Sequence, residues 1–157
     1  MQRADIVLVG LGGNTVEFFE AIEAGHTIVA ILSDNPMHQP AFEGIPVLPL
    51  SQARNFDSAQ FLFLIGSEAS YPLKRALIDG LGLKRERFAR FIHPQASVSR
   101  MAEIGVGAVI GAGARVMARA TLEDHVLILP NSVIHHDARI GRYGIVGANV
   151  TVAGGVS

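Results

Sequence analysis

The pair His136-Asp137 sets an imidazole beside a carboxylate, two residues after the aliphatic Ile134. An imidazole changes charge near neutral pH, so it can take a proton from an attacking nitrogen or oxygen. A neighbouring carboxylate can orient its ring. The run His135, His136, Asp137 reads equally as a polar turn on a solvated face. A second constellation is Gly10-Leu11-Gly12-Gly13-Asn14-Thr15. It lies between a strand-like run and a helical one, where backbone N–H groups can hold phosphate. Thr15 stands where the third glycine of G-x-G-x-x-G belongs, so the turn is an anion cradle or a tight turn without a ligand. Asp34 follows at about the twenty-residue interval at which an acid meets a ribose or base. Gly66-Ser67-Glu68 ends another apolar run and falls on the same carboxyl edge of the expected sheet.

These residues need elements to position them, and the first 93 residues alternate strand and helix. Ile6-Val7-Leu8-Val9 reads as a buried strand. Asn14 reads as a helix N-cap with Glu17 completing a capping box, Phe18, Phe19 and Ile22 follow at helical spacing, and Gly25 ends the helix. Residues 28–32 and 61–65 are further strands, and Pro72 opens a helix with Leu73, Ala76, Leu77 and Leu81 on one face. Residues 88–92 are expected to form a fourth strand. This is an α/β pattern with a parallel sheet.

From His93-Pro94 onward the period changes. Every sixth residue from Val98 is Ile, Leu or Val: Val98, Ile104, Ile110, Val116, Leu122, Ile128, Ile134, Ile140, Val146 and Val152. Two residues before each, small or β-branched residues recur, from Ala102 to Val150. Gly105, Gly111, Gly141 and Gly147 directly follow anchors. A strict hexad with one inward aliphatic and one small corner residue is the pattern of a hexapeptide β-helix, whose coils stack to bury a continuous column.

The 157 residues carry 13 basic and 14 acidic side chains, a net charge of −1 that gives no bulk attraction to nucleic acid or an anionic membrane. With no cysteine there is no disulfide, thiolate metal site or thiol nucleophile. No apolar run approaches a membrane span, and the N-terminus lacks the apolar core of a signal peptide, so the cytoplasm is expected.

A small α/β domain with a glycine turn, followed by hexapeptide repeats, resembles the bacterial sugar acetyltransferases of the sialic acid O-acetyltransferase and UDP-4-amino-sugar N-acetyltransferase type. The resemblance runs through Val9-Gly10-Leu11-Gly12-Gly13, residues 44–48, Ile65-Gly66, Ile92-His93-Pro94 and Ile134-His135-His136-Asp137. It implies a Rossmann-like nucleotide-sugar-binding domain over residues 1–93 and a left-handed parallel β-helix over residues 94–157, incomplete at its C-terminus. It further implies a homotrimer with the active site where subunits meet, and acetyl-CoA as donor, with no metal. His136 would be the general base and Asp137 its orienting acid. Gly10, Leu11, Gly12, Gly13, Asn14, Asp34, Gly66 and Ser67 would bind the nucleotide sugar, and Ile145 and Gly147 would lie against acetyl-CoA. Two positions depart from the family. Relatives often have histidine where this chain has Asn14, and a second histidine, in the hexad that follows the catalytic one, where this chain has Ile145. An isoleucine cannot donate to a thioester oxygen, which motivates an alternative: a silent nucleotide-sugar-binding or scaffold protein. A further alternative is a zinc enzyme of the γ-carbonic-anhydrase type, suggested by His125 beside His135 and His136. The repeat is still in phase at Val152, five residues after which the chain ends without a polar cap, so the expectation is a short or truncated member with an incomplete CoA pocket.

Overall fold

Four consecutive aliphatic residues, Ile6 to Val9, are almost completely buried, as a strand covered on both faces requires. They form β1 (Asp5–Val9), the interior of a sheet in a computed structural model that describes residues 3–35 and 37–157. The chain divides into two units, Met1–Ala89 and Arg90–Ser157.

In the first unit, β1 is followed by α1 (Gly13–Gly25), β2 (Thr27–Leu32), β3 (Ala41–Phe42), β4 (Ile45–Leu48), β5 (Gln60–Phe63) and α2 (Lys74–Gly80). The sheet order is β3-β4-β2-β1-β5. Strand β1 is parallel to both β2 and β5, β2 is parallel to β4, and only β3 runs antiparallel. The chain thus moves from β1 to one side through β2 and returns to the other side at β5. The carboxyl ends of β1 and β5 flank a crevice at that reversal, where open parallel sheets collect ligands.

Three local expectations are corrected. Helix α1 starts at Gly13 with Gly12 as N-cap, without a side-chain cap. Asn14 does not cap it, because its amide nitrogen instead donates to the carbonyls of Leu64 and Gly66, both at 3.0 Å. In α2 the buried positions are Lys74 and Ile78, followed by Leu81, whereas Leu73 and Ala76 are exposed. A 3₁₀ turn at Tyr71–Leu73 delays the helix and rotates its inner face. Residues 88–92 do not form one strand. Phe88 bridges to Phe61 and Ala89 N–H donates to Phe61 O in the first sheet, while Phe91–Ile92 starts the second unit. Before it, the Arg87 guanidinium donates to Ala59 O and Phe56 O and lies 5.3 Å from the Phe61 ring centroid.

The second unit consists of two-residue strands: β6 (Phe91–Ile92), β7 (Ser97–Val98), β8 (Glu103–Ile104), β9 (Val109–Ile110), β10 (Arg115–Val116), β11 (Thr121–Leu122), β12 (Leu127–Ile128), β13 (Val133–Ile134), β14 (Arg139–Ile140), β15 (Ile145–Val146) and β16 (Thr151–Val152). They stack into three parallel sheets, β16-β13-β10-β7, β14-β11-β8 and β15-β12-β9-β6. Arg115 pairs with Ser97 and with Val133, so each coil advances eighteen residues, or three hexads. This is the β-helix that the six-residue period predicts. Each of the ten anchors is the second residue of its strand. Ile110, Val116, Leu122, Ile128, Ile134 and Val146 form one core with the corner residues Ala114, Ala120, Val126 and Ala138. Ser132 sits in a buried corner because its hydroxyl is satisfied twice, donating to Gly147 O at 2.6 Å and accepting from Val150 N–H at 3.1 Å.

A third six-residue phase governs the outer corners. Gly107, Gly113, Arg119, His125, Asn131, Asp137, Tyr143, Asn149 and Gly155 all have φ between +57° and +71°. The left-handed conformation turns the chain from one sheet to the next. From Arg119 on, it also points each N–H at the preceding coil: Asn131 N–H donates to Ala112 O, Asp137 N–H to Ala118 O, and Gly155 N–H to His136 O. Residues eighteen apart in this phase therefore stack. His125 and Tyr143 are one such pair, their rings parallel with centroids 5.6 Å apart.

Candidate functional site

Two groups of the expected site residues are organised by these frameworks, one in each unit. In the first, a cleft of about 380 Å³ opens at the carboxyl edge of the sheet. Gly10, Leu11, Gly12, Gly13 and Asn14 line it after β1, Ser33 and His38 after β2, and Leu64, Ile65, Gly66, Ser67 and Ser70 after β5. Glycine is required at position 10, where φ is +102° and a Cβ would overlap the Ile65 side chain. Thr15, fully buried, explains its place in the incomplete fingerprint: its hydroxyl donates to Gly10 O at 2.7 Å and closes the turn. Asn14 ties that turn to the end of β5 through Leu64 and Gly66. A Cβ at Gly12 or Gly13 would meet nothing within 4 Å, so the turn faces open space at the start of α1.

Asp34 is placed differently from its neighbours. Its carboxylate accepts the Leu50 N–H at 2.8 Å, and the cleft is lined beside it by Ser33. His38, which carries no readable signal in the sequence, reaches the cleft from the loop after β2. Its Nδ1 is 2.6 Å from Ser33 Oγ, and its Nε2 is 3.3 Å from Asn35 Nδ2. Ser67 forms a turn with Ser70, whose Oγ accepts the Ser67 N–H at 2.8 Å.

In the second unit, His136 and Asp137 occupy the turn between β13 and β14. His136 Nδ1 lies 2.7 Å from Asp137 Oδ2. The other side of the carboxylate is held by Arg119, one coil earlier at the same corner: Nε donates to Oδ1 at 2.6 Å and a terminal nitrogen donates to Oδ2 at 2.8 Å. The hydrogen bond from Arg119, and after it the one from His136, hold the Asp137 carboxyl well below the usual carboxylate range. An ionised carboxylate only accepts, so the shared proton lies on His136 Nδ1 and the neutral ring presents Nε2 as an acceptor. The His136 side chain is 63% exposed, so solvent reaches it within a single chain. His135 is half-buried, and its carbonyl accepts the Ala138 N–H at 3.3 Å.

Ile145 is a half-buried strand residue in register with Leu127, and the Gly147 carbonyl accepts the Ser132 hydroxyl. His125 is buried in its corner stack against Tyr143. Among the described residues no group of three His, Asp or Glu side chains is arranged to hold a metal ion. No described helix is long and apolar enough to cross a membrane. Arg119 was missed by sequence reasoning. The signal for it was its eighteen-residue spacing from Asp137.

Residues 119–154 match the bacterial transferase hexapeptide family, described by six repeats. No curated protein sequence matches the chain. Among solved structures, the acetyltransferase domain of PglB from Neisseria gonorrhoeae is 22% identical with a TM-score of 0.71, over 98% of this chain and 84% of that one. The same domain in complex with acetyl coenzyme A gives a TM-score of 0.73 at 20% identity, over 98% and 83%. A His-to-Asn variant of perosamine N-acetyltransferase from Caulobacter crescentus, in complex with CoA and GDP-perosamine, is 21% identical with a TM-score of 0.55, over 94% and 90%. Residues 119–154 are thus a hexapeptide-repeat segment of the bacterial transferase type, in a chain that shares the fold of sugar acetyltransferases.

Proposed function

We propose that this chain is an acetyl-CoA-dependent transferase that acetylates an amino or hydroxyl group of a nucleotide-linked or sialic-type sugar. The observation that carries this reading is the His136–Asp137–Arg119 array on a transferase-type β-helix, in which the imidazole is bonded to the carboxylate through Nδ1 and its side chain is 63% exposed. The acceptor nitrogen or oxygen attacks the thioester carbonyl carbon, His136 Nε2 takes the proton it sheds, and the C–S bond breaks to release CoA as thiolate, which is then protonated. Asp137 keeps the ring in register while it acquires charge.

The first unit serves, in this reading, as a Rossmann-like domain for the acceptor. The Gly10–Asn14 turn at the start of α1 suits the phosphates, and Ser33, His38 and Ser67 offer polar groups to the remainder of the nucleotide. The solved relatives support this substrate class, because one of them carries CoA and GDP-perosamine together. The family resemblance implies a homotrimer with the site at the subunit boundary, where another surface would exclude water from the exposed base. Incubation with acetyl-CoA and a panel of UDP-, GDP- and dTDP-linked amino sugars, read by thiol release, tests the proposal. One productive acceptor is expected. Release no faster than in the absence of any sugar, together with nucleotide-sugar binding, would favour the binding-protein alternative that Ile145 motivates.

A further inference from the structure

The residues one coil before and one coil after His136 bear on its ring from two directions. Before it, Arg119 grips both oxygens of Asp137, so the carboxylate that meets His136 Nδ1 is fixed by two hydrogen bonds. Such a fork holds a carboxylate in one plane, which a single point charge does not do. After it, Gly154 stands eighteen residues beyond His136. A Cβ built there would lie 2.9 Å from His136 Cε1 and 3.0 Å from Nε2, so the imidazole ring would have to shift to make room for it. The Gly155 N–H binds His136 O at 3.1 Å and locks the two coils together at this point.

We propose that Arg119 and Gly154 are positioning residues for His136: Arg119 acts through Asp137 to keep the proton on Nδ1, and Gly154 keeps the space beside Nε2 open for the acceptor. The inference rests on the reading of His136 as the base, and it adds two residues that act by placing its ring. Without Arg119 the carboxylate is free to turn away, and an unrestrained imidazole populates both tautomers. Without the glycine hydrogen, the ring must tilt away from the position that Asp137 sets.

The test reads the ring directly. In protein labelled with nitrogen-15 in histidine, at a pH where His136 is neutral, wild type is expected to show a bare Nε2 and a protonated Nδ1. Arg119→Met is expected to shift the pair toward a mixture of tautomers, while the melting temperature changes little. The turnover number should fall about tenfold or more, with both KM values within about twofold of wild type. Arg119→Lys keeps the charge and loses the fork, so it should lie between the two and serves in place of the Met variant if that one does not fold. Gly154→Ala should lower the turnover number in the same way. A tautomer unaffected by the loss of Arg119, or a turnover number unaffected by either substitution, would overturn the proposal. A wild type inactive on every sugar, with the tautomer shift still present, would sink the functional reading and uphold the control of the ring by Arg119.

Discussion

Asp137 lies one coil after Arg119 at the same left-handed corner, and its two carboxylate oxygens take hydrogen bonds of 2.6 and 2.8 Å from the guanidinium. The stack is a consequence of backbone geometry: residues eighteen apart in the corner phase must overlie each other, so an acid and an arginine in that relation meet. Because the folded pKa of Asp137 is depressed, its ionised form persists as pH falls through the usual carboxylate range and is lost only near the depressed value. A carbon-13 titration of the carboxyl group should show a midpoint below that of an ordinary aspartate. Arg119→Met should raise the midpoint only part of the way, because the His136 hydrogen bond remains. A midpoint unmoved by the substitution would show that Arg119 is not the main cause.

The glycine turn separates fold from ligand binding. Gly10→Ala forces a side chain into φ +102° and against Ile65, so it should destabilise the protein by about 1–3 kcal/mol or more in chemical denaturation. Gly12→Ala meets nothing within 4 Å and alters only an N-cap, at a cost of under about 1 kcal/mol. It should still weaken nucleotide-sugar binding by crowding the cleft, as calorimetry would reveal. Equal stability losses in the two variants would contradict the assignment.

In the β-helix, Ile128 is fully buried in the aliphatic column between coils. Ile128→Ala should cost about 2–5 kcal/mol, because rigid neighbouring rungs cannot collapse into the void. A loss below 1 kcal/mol would show that the column is loosely packed.

The β-helix was legible because its anchors repeat at one strand position without exception, from Val98 to Val152. The corner phase was partly legible: Gly107, Gly113, Asn131, Asp137, Asn149 and Gly155 are residue types that favour a left-handed backbone, and they share one phase. Arg119, His125 and Tyr143 hide it, since nothing in their chemistry asks for positive φ. Asn14 misled for a different reason. An amide before a helical run resembles a cap, but β5 lies next to β1, and the carbonyls of Leu64 and Gly66, just past its end, capture the side chain. His38 reaches the cleft only because the loop after β2 folds back, which no local spacing encodes. Lys74 runs against the apolar pattern of α2, because a lysine takes the inner face that Leu73 and Ala76 were expected to hold.

Lys74 has a measurable consequence. Burial lowers its pKa from 10.5 to about 8. Between these values the unfolded chain binds more protons than the folded one, so stability should rise with pH across that window and lie at its lower level below about pH 8. Denaturation midpoints followed from pH 7.5 to 10 should show this rise, and Lys74→Met should flatten it. A wild-type profile already flat would mean that the ammonium is not desolvated.

The central claim is that His136 is the base for acetyl transfer, and the rate of thiol release by His136→Ala tests it most directly. With the acceptor identified and the oligomeric state confirmed unchanged, the variant should release CoA about 10²–10⁴ times more slowly than wild type, the range over which a positioned general base acts. A rate within a few-fold of wild type would contradict it.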